Sequence, residues 1–343
     1  MNREKNLAVT DKFNRPLQDL RISVTDRCNF RCTYCMPAEV FGADYPFLQK
    51  KELLSFEEIT RVAQTFAKLG VSKIRITGGE PLMRRDLEHL IKKLSDIPEI
   101  KDIAMTTNGS LLPKKAAKLK EAGLDRVTIS LDSLDDEKFG EINGKGVKVQ
   151  TVLDGIDAAQ AAGLEVKVNM LVKRGVNEHD ILPVARMFQG SSIILRFIEF
   201  MDVGSSNGWK LDDVISKKEI LETLQSEMTL EPVDPNYYGE VATLYRNTET
   251  GDQYGIISSI TAPFCSSCTR ARLSADGKIY TCLFAVAGTD IHTPLRNGAS
   301  NLDLEEIVSQ TWGNRSDRYS EIRTTETVNE RKKQKIEMSY IGG

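Results

Sequence analysis

Between residues 20 and 200 the sequence repeats one pattern six times, a short β-branched run followed by a longer amphipathic stretch. Leu20–Val24, Lys73–Thr77, Ile103–Thr107, Arg126–Leu131, Val166–Leu171 and Ile193–Phe200 read as strands. Between them, segments such as FEEITRVAQTFAKLG and DLEHLIKKL space apolar residues by three and four, as helices do. Gly70, Gly123 and Gly163 stand where three of these helices should end. Repeated strand–helix units return each strand to the same direction, which demands a parallel sheet. Six units fall short of a closed eight-stranded barrel. The expected fold is therefore α/β, an open, partial barrel of six TIM-like βα units over residues 12–230. Pro232, Asp234 and Pro235 break the pattern, and shorter β-like pieces follow at Gly255–Ile260 and Lys278–Tyr280. A smaller C-terminal α+β domain is expected over residues 231–343.

A parallel sheet covered on both faces should read as nearly continuous apolar runs. Here the alternation of side chains along each strand leaves one face polar and cationic. It carries Arg21 and Ser23, then Lys73, Arg75 and Thr77, then Ala104, Thr106 and Asn108, then Thr128, Ser130 and Asp132, then Lys167 and Asn169. Solvated strand ends would explain part of this. A lumen built to hold a large polar anion explains it strand after strand. The chain as a whole offers no such attraction, since 46 Lys and Arg face 49 Asp and Glu for a net charge of −3. Nucleic-acid and anionic-membrane binding are therefore not expected, and a polyanion must be held by this local cluster.

The first twenty residues lack the apolar stretch of a secretion signal, and no run approaches a membrane span. A cytoplasmic location, where thiols stay reduced, is the expectation. The six cysteines fall into two separated triples, Cys28, Cys32, Cys35 and Cys265, Cys268, Cys282. Each triple would leave one cysteine over in a disulfide scheme, so metal ligation is the better reading. Cys28-x₃-Cys32-x₂-Cys35 follows the first strand directly, where the site loops of a βα barrel sit. Three thiolates on one tight loop can bind three irons of a cubane cluster and leave the fourth open for chemistry. Arg27 and Arg31 flank them and should favour thiolate. A zinc knuckle would need a nearby fourth ligand, and the closest histidine is His89.

This spacing, with Tyr34 before the last cysteine, resembles the radical S-adenosylmethionine (SAM) signature. In that superfamily SAM chelates the open iron, and an electron from the reduced cluster splits it into methionine and a 5′-deoxyadenosyl radical. Gly78-Gly79-Glu80-Pro81 follows the second strand and resembles the superfamily's segment for the SAM amino group, with glycines that let the backbone approach the ligand.

The second triple, Cys265-x₂-Cys268-x₁₃-Cys282, again has no obvious fourth ligand. A second cluster with an open iron is the sharper reading, and structural zinc using His292 is the alternative. Arg270-Ala271-Arg272 lies between its second and third cysteines, and paired guanidiniums suit phosphate. DLRISVTDRCNFRCTYCMP, RITGGEPLMRRDL, TTNGSLL, DRVTISLDSL, FCSSCTRARLSADGKIYTCLF and the terminal IGG together resemble one family, molybdenum cofactor biosynthesis protein A, the GTP 3′,8-cyclases. The resemblance covers nearly the whole chain.

It implies two 4Fe–4S clusters, one on Cys28, Cys32 and Cys35 and one on Cys265, Cys268 and Cys282, the latter with its open iron facing guanine. SAM would contact Tyr34, Gly79, Ser130 and Met201. GTP would be held by Arg21, Arg75, Thr106, Lys167 and the segment Arg270, Ala271, Arg272, with Lys73 and Arg196 as additions. Arg270, Arg272 and Lys167 would act on the triphosphate. The family inserts its terminal Gly-Gly, here Gly342 and Gly343, toward the active site. The implied reaction takes the ribose 3′ hydrogen of GTP and closes C3′ onto C8 of guanine. Implied partners are a flavodoxin- or ferredoxin-like electron donor and, downstream, pyranopterin monophosphate synthase, the chain being a monomer or homodimer.

No phosphate loop competes. The segment Gly140 to Gly146 has the wrong glycine spacing and no Ser or Thr after Lys145. His89, His179 and His292 sit in polar contexts and receive no role. Two rival readings remain: a peptide-modifying radical SAM enzyme with an auxiliary cluster, and a non-catalytic iron–sulfur scaffold. The first predicts more C-terminal cysteines and an acidic or open groove. The second needs neither the Gly-Gly-Glu-Pro turn nor the lumen cations.

Overall fold

The computed structural model describes residues 9–323 and 335–342, so Gly343 lies outside the described residues. The strands are β1 Asp19–Ser23, β2 Lys73–Thr77, β3 Asp102–Thr107, β4 Arg126–Ser130, β5 Glu165–Val172, β6 Ile194–Glu199, β7 Leu230–Val233, β8 Thr243–Asn247, β9 Gln253–Ile257, β10 Arg270–Leu273, β11 Lys278–Tyr280 and β12 Thr289–Asp290. They form one open sheet in the order β12-β11-β10-β1-β2-β3-β4-β5-β6-β9-β8-β7.

The six expected strands all form, each within two residues of its expected ends, and pair in parallel in chain order. Residues after 230 extend both edges of that same sheet. β9 joins β6 and β10 joins β1, both in parallel, before the pairing turns antiparallel on either side. Strands from β10 through to β9 border a single cavity, so the sheet curls around it as a partial barrel.

The helices cover the outer face. Phe56–Lys68 starts at Ser55, whose side chain and Glu58 cap each other's backbone N–H groups, and it buries Ile59, Val62 and Phe66. Gly70, Gly123 and Gly163 do follow helix ends, each at positive φ. The outward strand residues, such as Leu20, Ile22, Ile74, Ile76, Val127 and Ile129, pack with these helices into one apolar core. That outer core is what frees the inner face for polar side chains. No helix among the described residues is long and apolar enough to cross a membrane.

Candidate active site

The loop after β1 carries the first cysteine triple and is braced from two sides. Gly79 and Glu80, just after β2, donate their backbone N–H groups to Thr25 O and Arg27 O at 2.8 Å each. The approach is so close that a Cβ on Gly79 would lie 2.3 Å from Arg27 O. On the other side, Arg31 N donates to Asn143 O at 2.8 Å and Thr33 N to Ile142 O at 3.0 Å. The Gly-Lys segment that fails as a phosphate loop is thus part of this brace. Cys28, Cys32 and Cys35 border a cavity of about 130 Å³ together with Gly78, Gly79 and Ser130.

Two buried acids stand at this cavity. Glu80 accepts from Thr107 Oγ1 and Asn108 N at 2.8 Å and from Leu82 N at 3.0 Å, and burial raises its pKa to about 7. Asp132 accepts from the Tyr34 hydroxyl and from Leu171 N, both at 2.8 Å, and burial raises it to about 6. Burial also pushes the Cys28 thiol up to about 11, and it raises Cys32 and Cys35 further. The expectation that Arg27 and Arg31 favour thiolate is therefore not met. Arg31 acts on Cys28 in that direction, but its guanidinium is spent on the carbonyls of Cys28, Phe30 and Phe41, and burial outweighs it. Arg27 lies over the Phe47 ring instead.

The larger cavity, about 230 Å³, adjoins the first and shares Tyr34, Thr106, Ser130, Asp132 and Met338 with it. Cys265, Cys268 and Cys282 border its other end. Their surroundings are cationic. Arg270 donates to Cys268 Sγ at 3.0 Å, Arg315 to Cys268 O at 2.8 Å and Arg15 to Cys265 O at 2.7 Å. Asp11 fixes both Arg15 and Arg315. Burial alone would raise the Cys268 thiol, but Arg270 and Arg315 bring it down to about 6. For Cys282, burial followed by Asp317 raises the thiol to about 12, outweighing the Phe284 backbone N–H and Arg315, which pull it down.

Between the two triples the strand register lines up Arg272, Arg21 and Arg75 on β10, β1 and β2. Burial, then Arg272 and Arg75, pulls the Arg21 pKa well down. Three adjacent buried guanidiniums repel each other unless an anion joins them. Arg21 Nε, Arg75 Nε, Arg270 Nη1 and Thr106 Oγ1 are buried with no hydrogen-bond partner, which is costly unless a ligand supplies acceptors. Arg196, on β6, is held by Asn169 and Thr128 and completes the arc.

Most of the sequence-predicted residues meet here. Tyr34, Ser130, Met201, Arg21, Arg75, Thr106, Arg270 and Arg272 all border the larger cavity. Ala271 packs into the core behind it, so only its backbone is available to a ligand. Lys167 borders a smaller floor cavity of about 30 Å³, which shares Arg21, Arg75, Arg196 and Arg270 with the larger one, and it pairs with Glu165 at 3.1 Å. Gly342 sits inside the barrel and its carbonyl accepts from Arg272. With φ +75° and a Cβ position 2.0 Å from Thr77 Cγ2, only glycine fits there. His292 borders none of these cavities. No three His, Cys, Asp or Glu side chains among the described residues converge on a single-ion site. Cubane ligands need no such convergence, because each thiolate binds a different iron.

Sequence reasoning missed Asp132 as Tyr34's partner, the buried acid pair as such, and the Asp11–Arg15–Arg315 clamp on the second triple. The strand periodicity had put Asp132 on the polar face. The clamp joins residues about three hundred positions apart and left no local signal.

The family model for the radical SAM superfamily matches residues 22–188, and that for Molybdenum Cofactor Synthesis C matches residues 193–321. The chain is 52% identical over 336 residues to the GTP 3′,8-cyclase of Staphylococcus haemolyticus, covering 98% of this chain and 99% of that one. It is 53% identical, with the same coverage, to the GTP 3′,8-cyclase of Staphylococcus carnosus. Among solved structures, Streptococcus suis SuiB bound to S-adenosylmethionine aligns over 79% of this chain and 62% of its own, less than two thirds, with a TM-score of 0.58 at 16% identity. SuiB bound to precursor peptide SuiA aligns over 88% and 66%, with a TM-score of 0.60 at 16% identity. These two likenesses are of fold.

Proposed function

The chain belongs to the GTP 3′,8-cyclase family of radical SAM enzymes, and from that footing we propose how its residues divide the work. The family's reaction converts GTP to (8S)-3′,8-cyclo-7,8-dihydroguanosine 5′-triphosphate, the first step of molybdenum cofactor biosynthesis, with two 4Fe–4S clusters and SAM. In our reading Cys28, Cys32 and Cys35 hold the first cluster, and Cys265, Cys268 and Cys282 hold the second. When bound, the first cluster and SAM supply the radical chemistry that removes the ribose 3′ hydrogen and lets C3′ close onto C8.

The chain's own task is placement. Gly79 lets the backbone after β2 approach SAM, while Tyr34, Ser130 and Met201 border the space SAM would fill. The acids Glu80 and Asp132 suit its cationic sulfonium and the N–H donors of its amino group. GTP would lie in the larger cavity with guanine toward the second triple. Its phosphates would run along Arg21, Arg75, Arg270, Arg272 and Thr106 toward Arg196 and Lys167 at the floor, where the orphaned donors find acceptors, while Lys73 borders none of these cavities and packs on the Tyr237 ring. Gly342 would hold Arg272 in place from the side of the first cavity.

One observation carries this reading: two adjoining cavities run from the Gly-Gly-Glu-Pro turn to the second triple, with buried guanidinium nitrogens that lack a hydrogen-bond partner along the larger one. We assign the SAM site chiefly to residues 12–230 and the second cluster to residues 231–343. The reductant in this reading is a flavodoxin- or ferredoxin-like protein reaching the first triple beside the exposed Arg27. The product passes to pyranopterin monophosphate synthase, and the enzyme works in the cytoplasm as a monomer or homodimer. Anaerobic reconstitution should give about eight irons per chain, four for each cluster, and SAM cleavage that yields the cyclised nucleotide only with GTP. One stoichiometric zinc at the second triple would overturn the reading.

A further inference from the structure

The turn between β7 and β8 covers the floor of the barrel, and neither the sequence motifs nor the cyclase reaction gives it a role. Within it Tyr237, Gly239 and Glu240 border the floor cavity. The Lys73 ammonium lies 3.1 Å from the centroid of the Tyr237 ring, a cation–π contact that fixes the ring's position. Tyr237 as a residue is 41% exposed. It nonetheless borders the floor cavity, and its phenol is within electrostatic reach of Glu240, Arg75, Asp19 and Arg126. Burial, followed by Glu240, raises its pKa, so the phenol keeps its proton and stays a donor. The Glu240 carboxylate accepts from Asn236 N at 2.7 Å, which holds the turn closed on itself.

A neutral donor in the wall of a cationic pocket is matched to an oxygen of a bound anion. The floor cavity opens into the larger one through Arg21, Arg75, Arg196 and Arg270. A nucleotide with its base at the second triple therefore brings its last phosphate to this wall. We propose that Tyr237 is a specificity residue that reads the terminal phosphate of a nucleoside triphosphate, its hydroxyl donating to that group while Lys73 holds the ring. This rests on the placement of the phosphates along the arginines. A diphosphate ends one group short of the wall and leaves the phenol unengaged.

The test is Tyr237→Phe in the reconstituted holoenzyme, which keeps the ring and its contact with Lys73 and removes only the hydroxyl. GTP affinity should fall about tenfold, as for loss of a hydrogen bond to a charged group. GDP affinity should be unchanged, so the preference for GTP over GDP shrinks by that factor. In turnover, KM for GTP should rise while kcat at saturation holds. An unchanged GTP-to-GDP preference overturns the proposal. Arg75→Ala separates the two levels of failure. If it weakens GTP and GDP relative to guanosine, the phosphates do sit on the arginines and only the role of Tyr237 has failed. If it spares that difference as well, the placement of the phosphates has failed with it.

Discussion

The two cysteine triples border connected cavities, yet their surroundings are opposite in charge. The first is held by backbone braces and stands beside the buried acids Glu80 and Asp132, with Glu337 also acting on Cys35. Burial raises all three of its thiols. The second is gripped by Arg15, Arg270 and Arg315, and two of these lower the Cys268 thiol to about 6. The proposed ligands account for the contrast. SAM brings a sulfonium, which acids would stabilise, whereas GTP brings a triphosphate, which guanidiniums would stabilise. On the proposed assignment, the two ends of one barrel are lined with opposite charge, one for the cationic cofactor and one for the anionic substrate. The same assignment divides the work of the triples, radical generation at one and substrate placement at the other.

The largest test of that division is a pair of cysteine variants. Cys32→Ala should abolish SAM cleavage, because no radical chemistry starts without the first cluster. Cys268→Ala should leave SAM cleavage measurable and lose cyclised product, because only placement is damaged. Both products are read in one assay by liquid chromatography, with iron content and circular dichroism confirming the rest of the fold. Equal loss of both activities in both variants would break the comparison.

The next effect concerns the arginines at the substrate end. Arg272 donates to Gly342 O and touches no cysteine in the hydrogen-bond network, whereas Arg270 also donates to Cys268 Sγ. Arg272→Ala is therefore the cleaner probe. Charge-assisted bonds of about 1.5–3 kcal/mol imply roughly 10–150-fold weaker GTP binding by equilibrium dialysis. Guanosine affinity should stay unchanged. Arg270→Ala should weaken GTP as well and also raise the Cys268 thiol. Equal losses for guanosine and GTP with Arg272→Ala would mean that the arginine shapes the guanine end instead.

Much of this contrast could be read in the sequence. Parallel strands with one polar face are unusual enough that Arg21, Arg75, Thr106 and Ser130 stood out by alternation alone, and all four border the cavity. The tight spacings within each triple, and the Arg270–Arg272 pair, were equally visible because they are local. What stayed hidden is long-range. β10 pairs with β1 across some 250 residues, and no local pattern announces a register. The Asp11–Arg15–Arg315 clamp has the same character. Lys167 was placed on the correct face, but alternation does not give depth along a strand, and the structure puts it at the floor beside Glu165. The flanking arginines of the first triple misled because charge in sequence says nothing of burial, which there exceeds their pull.

The smallest effect, and the finest test of the charge contrast, is the pH dependence at the SAM end. Glu80 and Asp132 carry folded-state pKa values of about 7 and about 6, both raised by burial. A carboxyl raised on folding favours the folded state in its neutral form, and that contribution is lost as pH rises through the folded pKa. The chain free of SAM should therefore lose some thermal stability as pH rises from the ordinary carboxyl range of about 4 up to about 7, and level off above that. Through the upper part of that range, about 6 to 7, the carboxylates of the folded chain gain the charge that attracts a sulfonium. SAM affinity should rise by about three- to tenfold across it, given that one pKa unit corresponds to about 1.36 kcal/mol. SAM should then restore the stability that the ionised acids cost. Asp132→Asn and Glu80→Gln should each flatten the profile, and the double variant should hold SAM at its low-pH affinity throughout. Dialysis of SAM against the oxidised holoenzyme at a series of pH values reads this directly. A profile that keeps its slope in the double variant would show that the acids only brace Tyr34 and the loop after β3, with no electrostatic part in holding the cofactor.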